Sequence, residues 1–189
     1  TNSDADKAAL TVAYLSENPL IVDKATTEGS LRISTRQGIE TSDDTVVMTG
    51  DTVTLHAGEG SIDHVKLDAK TWALLTAGGD ISVESAAGKL ALYAVSGGGD
   101  VTIKAGEIGS YVDPENPHGA ASSGVVDAVG TVYLDAENIG IGNDTKEALR
   151  LADGSVVEID SPLNSVYMTS AGSVQVGTEG GAASDLTVG

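Results

Sequence analysis

The sequence predicts an all-β protein built from short stacked strands, and three observations carry this prediction. Apolar-x-apolar triplets recur at short intervals along most of the chain, beginning with Leu31/Ile33. Glycine is abundant between them, with 24 residues in a chain of 189. The chain is 40% hydrophobic but only 3% aromatic and contains no Phe, so its core must consist of Val, Leu, Ile and Ala. Small aliphatic residues suit a narrow, repetitive interior.

Each triplet is a minimal strand with two side chains directed inward and one outward. The intervening Gly, Asp, Ser and Ala residues are typical of turns. The triplets are Leu31/Ile33, Val53/Leu55, Val65/Leu67, Trp72/Leu74, Ile81/Val83, Leu90/Leu92, Val101/Ile103, Val132/Leu134, Ile139/Ile141, Leu149/Leu151, Val166/Met168, Val174/Val176 and Leu186/Val188.

A Gly-Asp phrase precedes a triplet at Gly50-Asp51, Gly79-Asp80 and Gly99-Asp100. Strands of three to five residues with a recurring phrase favour stacked turns over a sandwich, because each strand then pairs with the copies above and below it. Two arrangements remain open. A single-chain β-helix needs turns of roughly 20 to 30 residues. In an intertwined homotrimer, or β-prism, each of three chains supplies one face. The irregular spacing and the few bulky residues favour the homotrimer.

The chain divides by pattern into an N-terminal docking arm (1–30), a β-repeat body (31–108), an irregular loop (109–130) and a C-terminal β-repeat region (131–189). In the arm, Ser3 or Asp4 as N-cap predicts a short helix that ends before Pro19. The alternative is a strand, because apolar residues also alternate there. The candidate partner-docking residues are Leu10, Val12, Tyr14, Leu20 and Tyr111.

Charge excludes some classes of function. The formal net charge is −18, with 10 basic and 28 acidic residues. Nucleic-acid binding depends on Lys and Arg at the interface, so no nucleic-acid partner is expected. No apolar run approaches the roughly 20 residues of a membrane span, so no membrane insertion is expected. The chain has no Cys, which removes disulfides and thiolate metal sites.

Residues 79–106, GDISVESAAGKLALYAVSGGGDVTIKAG, resemble the repetitive β-helical stalks of phage tail spikes and related secretion-system spikes. Residues 137–154, ENIGIGNDTKEALRLADG, are similar to a phrase that follows such stalks. The resemblance implies a non-enzymatic structural protein of a virion: a spike, a fibre or a capsid decoration protein that self-associates, as a homotrimer, and contacts other virion proteins. The repeats also resemble filamentous haemagglutinin-type adhesins. This implies the alternative of a secreted β-solenoid adhesin or extracellular filament subunit that assembles by strand exchange at the cell surface.

The chain departs from the spike family in its histidines. The apex of such spikes often carries a His-x-His iron site, whereas His56, His64 and His118 are not so spaced. A membrane-piercing tip is therefore not expected, while a stalk, fibre or decoration role is. His56 and His64 lie near Glu59 and Asp63, but they form no zinc signature and are predicted to lie at the surface or in turns.

The sequence predicts no catalytic residues and no cofactor. It lacks a Gly-x-Ser-x-Gly elbow, and its few aromatic residues do not suggest a sugar platform. Carboxylates in the turns make structural Ca²⁺ the one candidate ligand, at Asp80, Asp100 and Asp144. Asp in a Gly turn more often bonds backbone, which is the alternative. Trp72, Tyr93 and Tyr133 lie in or beside triplets and are predicted to be core caps or interface contacts.

Overall fold

The computed structural model describes residues 8–111, 125–140, 148–160, 165–178 and 187–188. This part of the chain contains seventeen strands and no helix. The strands are β1 (Leu10–Tyr14), β2 (Leu20–Val22), β3 (Ala25–Thr26), β4 (Ser30–Thr35), β5 (Ile39–Thr41), β6 (Val47–Ala57), β7 (Ile62–Ala77), β8 (Ile81–Ser85), β9 (Lys89–Gly97), β10 (Val101–Ser110), β11 (Val125–Ala128), β12 (Thr131–Ile139), β13 (Leu149–Leu151), β14 (Val156–Asp160), β15 (Ser165–Ser170), β16 (Gln175–Thr178) and β17 (Thr187–Val188).

All strand pairs are parallel, and they form three ladders that are the faces of a β-solenoid. The first face begins with β1, β4 and residues 52–57 of β6. The second face begins with β2, β5 and the start of β7, and continues through β8, β10, β12, β14 and β16. The third face begins with β3, residues 47–50 of β6 and residues 66–69 of β7. The predicted stack of short strands is confirmed.

One chain supplies all three faces, in about seven turns. The turns differ in length: the one that joins Leu20 to its ladder partner Ile39 is short, and the one that joins Val101 to Val132 is much longer. The intertwined arrangement, in which each of three chains supplies one face, is therefore not the one found. The irregular spacing of the triplets, which favoured the intertwined arrangement, reflects bends of different length between the strands of one chain. The homotrimer itself stays a prediction.

The N-terminal segment is a strand and not the predicted helix. β1 pairs with β4 along its whole length, from Leu10 with Leu31 to Tyr14 with Thr35. The alternation of its apolar residues outweighed the capping signal because each inward side chain gains contact with the core of the next turn. The predicted arm, 1–30, thus includes the first turn of the solenoid. In the predicted loop, 109–130, residues 112–124 lie outside the described residues.

The core is a continuous column of aliphatic side chains, as the composition predicts. Both members of most triplets are buried, for example Val53 with Leu55 and Val101 with Ile103. Trp72/Leu74 is an exception, because the buried residues of that strand are Ala73 and Leu75. Trp72 with Leu74 and Ala73 with Leu75 have the same alternating spacing, so the spacing alone does not say which pair points inward. In the ladder Ala73 pairs with the buried Val53, which places Ala73 and Leu75 in the core.

Among the described residues, four polar side chains are buried, and each makes a hydrogen bond at or near a bend. The hydroxyls of Thr35, Ser85 and Ser155 donate to the carbonyls of Gln37, Lys89 and Ala152 at 2.7, 2.9 and 2.8 Å. The Ser110 hydroxyl accepts from the Arg150 backbone N–H at 3.0 Å. These bonds pair each buried hydroxyl with a backbone group that has left the regular ladders. The buried hydroxyls therefore do not weaken the core.

Candidate functional site

The first described turn, residues 10–26, is the candidate functional site, because it lies at one edge of the described part of the solenoid. β1, β2 and β3 pair with β4, β5 and β6 respectively, and with no other strand among the described residues. Within the part of the chain that the structure describes, one edge of every face is thus unpaired at this turn. An open edge presents N–H and C=O groups that can pair with another chain.

The predicted docking residues Leu10, Val12 and Leu20 lie on this turn with their side chains on the core, but they are only partly buried. Their ladder partners Leu31, Ile33 and Ile39 are 0%, 2% and 0% exposed. The difference arises because the interior turns are covered on both sides and the first turn on one. Tyr14, the last residue of β1, is the fourth docking candidate that lies on this turn.

Large apolar side chains also project outward from the first turn. Ile21 on β2 is 61% exposed, and Leu15, in the bend after β1, is 84% exposed. An isolated exposed aliphatic residue is ordinary. Here two of them flank the open edge, so the turn offers an apolar surface at the side as well as at the end.

Tyr111 does not lie on the first turn. It forms a cluster with Trp72 and Tyr93 outside the core, with ring centroids 4.9 Å apart for Trp72 and Tyr93 and 6.1 Å apart for Tyr93 and Tyr111. Tyr93 is 38% exposed. The prediction that Trp72 and Tyr93 are core caps is therefore wrong, and the alternative of surface contacts remains. Sequence reasoning missed the cluster, whose only signal is an aromatic residue about once per turn.

The Gly-Asp phrases connect successive turns. The backbone N–H of Asp100 donates to Oδ1 of Asp80, and the N–H of Thr131 donates to Oδ1 of Asp100, both at 2.8 Å. Each carboxylate thus binds the backbone of the next turn and not its own bend. Gly99 leaves room for this bond, because a Cβ atom at this position would collide with the Asp80 carboxylate and displace it. Gly50-Asp51 lies elsewhere, inside β6 at the bend from the third face to the first.

The two aspartates are therefore structural acceptors in this fold. No group of three or more His, Asp or Glu side chains in the described ranges is placed to hold a metal ion. The third calcium candidate, Asp144, lies outside the described residues, as does His118. The cofactor prediction stays a prediction.

His56 and His64 are both exposed, as predicted for surface or turn residues. His64 has a left-handed backbone conformation, with φ of 49°, at an irregularity of β7. Its Nδ1 lies 2.5 Å from the Asp63 carboxylate.

Charged side chains on the sides of the solenoid form ladders that follow the strand register. Lys66, Glu84, Lys104 and Asp135 occupy successive turns of one position. The Nζ atoms of Lys66 and Lys104 lie 3.8 Å from Glu84 and 2.9 Å from Asp135. Arg36 likewise pairs with Glu17 and Glu59, in the turns on either side of it. Such exposed pairs contribute little stability, but opposite charges favour this register over a shifted one.

Asp43 closes the bend between β5 and β6. The hydroxyl and the backbone N–H of Thr45 both donate to its carboxylate, at 2.5 and 2.7 Å. These bonds, the hydroxyl first, hold the pKa of Asp43 below its usual value. Because the charged form is bound, Asp43 is an acceptor at neutral pH and not a proton donor.

Comparisons with known proteins give no relative: no family model, no curated protein and no solved structure matches the chain. None of the described residues forms a helix long and apolar enough to cross a membrane.

Proposed function

We propose that the protein is a non-enzymatic structural component of a large assembly, most like a phage virion protein such as a spike, a fibre or a capsid decoration protein. The observation that carries the proposal is the open first turn at the end of a continuous solenoid. A solenoid extends in one direction, and within the described residues the outer edge of its first turn has no partner strand. In this proposal the first turn attaches to the larger particle and the remaining turns extend away from it.

The sides of the solenoid support a mechanical role. Every interior strand is paired on both edges, and one aliphatic column runs through the turns. The net charge of −18 makes neighbouring copies repel one another side by side. Contact through the end is therefore favoured over lateral aggregation.

Fractionation tests this proposal. Antibody against the purified chain would be applied to density-gradient fractions from a culture of the organism that encodes it. We expect the chain in the fractions that contain phage particles. Its presence only among free soluble proteins would contradict the proposal, as would turnover of a polysaccharide that is lost when an acidic pair is removed.

Reconstitution with variants tests the role of the first turn. Purified chain is added to particles that lack it, and the incorporated amount is measured. Ile21→Asp places a charge on the exposed apolar surface of the first turn and should lower incorporation. Ser82→Asp places the same charge on the second face of an interior turn and should leave incorporation unchanged. Equal effects of both variants would show that the first turn has no special role.

The alternative function, an extracellular filament subunit or adhesin that assembles by strand exchange, is favoured by one feature of the same site. β1 offers a free edge of five residues without charge or proline, which suits addition of a strand from another chain. In this case the antibody would detect the chain in the cell-surface fraction.

A further inference from the structure

The first face differs from the other two in charge. It includes β1, β4, residues 52–57 of β6, residues 72–77 of β7, residues 92–97 of β9, β11 and β13. Of the 28 acidic residues in the chain, these strands contain one, Asp127. The strands of the second and third faces contain many more, among them Glu40, Asp63, Asp68, Glu84, Glu107, Asp135 and Glu158. Two copies of a chain with a net charge of −18 can therefore approach through the first face with the least repulsion.

An apolar patch lies in the middle of the first face. The aromatic cluster of Trp72, Tyr93 and Tyr111 forms a column along the solenoid axis. The neighbouring outward column consists of Leu74, Ala94 and Val125. Tyr93 is 38% exposed, and the other members of both columns are half-buried. Aromatic residues without Asp or Glu are typical of the core of a protein–protein interface. We call these two columns the face patch.

Uncharged hydroxyl groups border the face patch. Thr52 and Thr54 precede it in the ladders of the first face, and Thr76 and Ser96 lie beside it. The Thr52 hydroxyl donates to Oγ of Ser30 at 2.9 Å, so it has a partner within the chain. Another chain can cover such a border without burying an unpaired charge.

Two opposite charges flank the face patch at equal distances. Arg32 lies two turns before Leu74 in its ladder. Asp127 lies two turns after Thr76 in the adjacent outward ladder. Because Leu74 and Thr76 belong to the same strand, reversing the solenoid direction about that strand brings the turn of Arg32 onto the turn of Asp127.

We propose that two copies of this chain associate through their first faces in antiparallel orientation, about a two-fold axis between their Leu74 side chains. The face patch of one copy then covers that of the other. Asp127 of the second copy lies opposite Ser34, two residues from Arg32 along β4. Alternate residues of a strand are about 7 Å apart, which an Arg side chain spans. The contact is isologous, so the pair of Arg32 with Asp127 forms twice.

A parallel arrangement lacks this complementarity. There each residue meets its own copy, so Arg32 opposes Arg32 and Asp127 opposes Asp127. Like charges in opposition are unfavourable at an interface. The charge pattern of the first face therefore favours a second copy, in antiparallel orientation, as the occupant of the face patch.

The inference goes beyond the proposed function, because it concerns a side of the solenoid and not the first turn. The two first turns lie at opposite ends of the dimer, so one can attach to the particle while the other points away from it. The second and third faces stay exposed, and their carboxylates repel further copies side by side. Lateral association therefore stops at two chains.

The size of the first face predicts a weak dimer. Strands in a sheet are about 4.8 Å apart and residues along a strand are about 3.3 Å apart. Five turns of six residues therefore cover about 400 Å² per copy, or about 800 Å² in total. Stable complexes bury about 1,200–2,000 Å². We expect a dimer that dissociates on dilution.

The first test measures mass and the exposure of Trp72 together. Sedimentation velocity on the full chain, at about 0.15 M salt to screen long-range repulsion, should show the mass rise with concentration from 19.0 kDa to twice that value. Trp72 is the only Trp in the chain, so its fluorescence reports on the face patch. Acrylamide should quench it less as the concentration rises, over the same range in which the mass increases.

A charge on the two-fold axis tests the location of the contact. Leu74→Asp places two carboxylates against each other and should keep the chain at the mass of one copy. Ser82→Asp places the same charge on the second face and should dimerise like the unchanged protein. Circular dichroism checks that each variant is folded, and Tyr93→Asp replaces Leu74→Asp if the latter is not.

Charge reversal tests the orientation. Arg32→Asp alone opposes two carboxylates, and Asp127→Arg alone opposes two guanidinium groups, so each should weaken dimerisation by about tenfold or more. An equimolar mixture of the two variants restores both pairs and should dimerise like the unchanged protein. Equal dimerisation of each single variant and the unchanged protein would overturn the antiparallel contact.

Other outcomes also overturn the inference. A single-chain mass at every concentration does so, and Trp72 shielded in that single chain would mean that the chain itself covers the patch. A fixed mass of three chains would instead support the predicted homotrimer. Association that survives Leu74→Asp but is lost in Ile21→Asp would place the contact on the first turn. None of these results bears on whether the chain is found in particle fractions, so the proposed function is tested separately.

Discussion

A pair of identical substitutions measures how much the open end weakens the core. Val53→Ala and Val12→Ala each remove two methyl groups from the first face. Val53 is fully buried between neighbouring turns, whereas Val12 is only partly buried. Two methyl groups correspond to about 1.6 kcal/mol of transfer free energy at about 0.8 kcal/mol each. A cavity closed by strands on both sides adds to this, so we expect Val53→Ala to cost about 2–3 kcal/mol.

Val12→Ala should cost about half as much, because part of its side chain already contacts water and no closed cavity forms. The assay is urea unfolding followed by circular dichroism, at low protein concentration. The difference between the two midpoints, at equal slope, gives the difference in the free energy of unfolding. Equal costs would refute the reasoning, since they would mean that the first turn is covered as completely as an interior one.

Three further predictions concern the bends. Asp100→Ala removes an acceptor between turns and should lower the free energy of unfolding by about 1 kcal/mol in the same urea assay, whereas Asp100→Asn, which retains Oδ1, should have little effect. Gly98→Ala, whose Cβ would collide with a backbone carbonyl of the previous turn, should destabilise the protein far more than Gly177→Ala, whose Cβ would make only an ordinary contact with the Glu158 side chain. The carboxyl carbon of Asp43 should titrate below its usual pKa of about 3.9 by NMR. Its contribution to stability is present above the usual pKa and is lost as the pH falls through the lowered pKa. Thr45→Ala removes the hydroxyl bond but keeps the backbone bond, so it should raise the pKa of Asp43 part of the way toward its usual value.

The all-β stack and its aliphatic core follow from local features of the sequence. Two inward residues separated by one outward residue define a strand whatever its partner is, and glycine with aspartate defines a bend. Val101 and Ile103 are therefore buried as predicted. The helix predicted near residue 10 failed because capping and spacing signals are weak beside the burial gained by pairing β1 with β4.

The docking candidates were predicted in part. Leu10, Val12, Tyr14 and Leu20 stood out as apolar residues before the first regular repeat, and all four lie on the open first turn. Tyr111 does not lie on that turn. Nothing in its own sequence neighbourhood indicates that Trp72 and Tyr93 approach it, because those contacts join residues of different turns.

The sequence by itself determined the secondary structure and composition of this protein: strands instead of helices, a core without aromatic residues, glycine bends and an acidic surface. These properties depend on single residues and their immediate neighbours. Only the tertiary structure decided that one chain supplies all three faces and that Ala73 and Leu75 point inward in place of Trp72 and Leu74. Each of these depends on pairing across about one turn of chain, where the gain from stacking side chains in register exceeds any local preference.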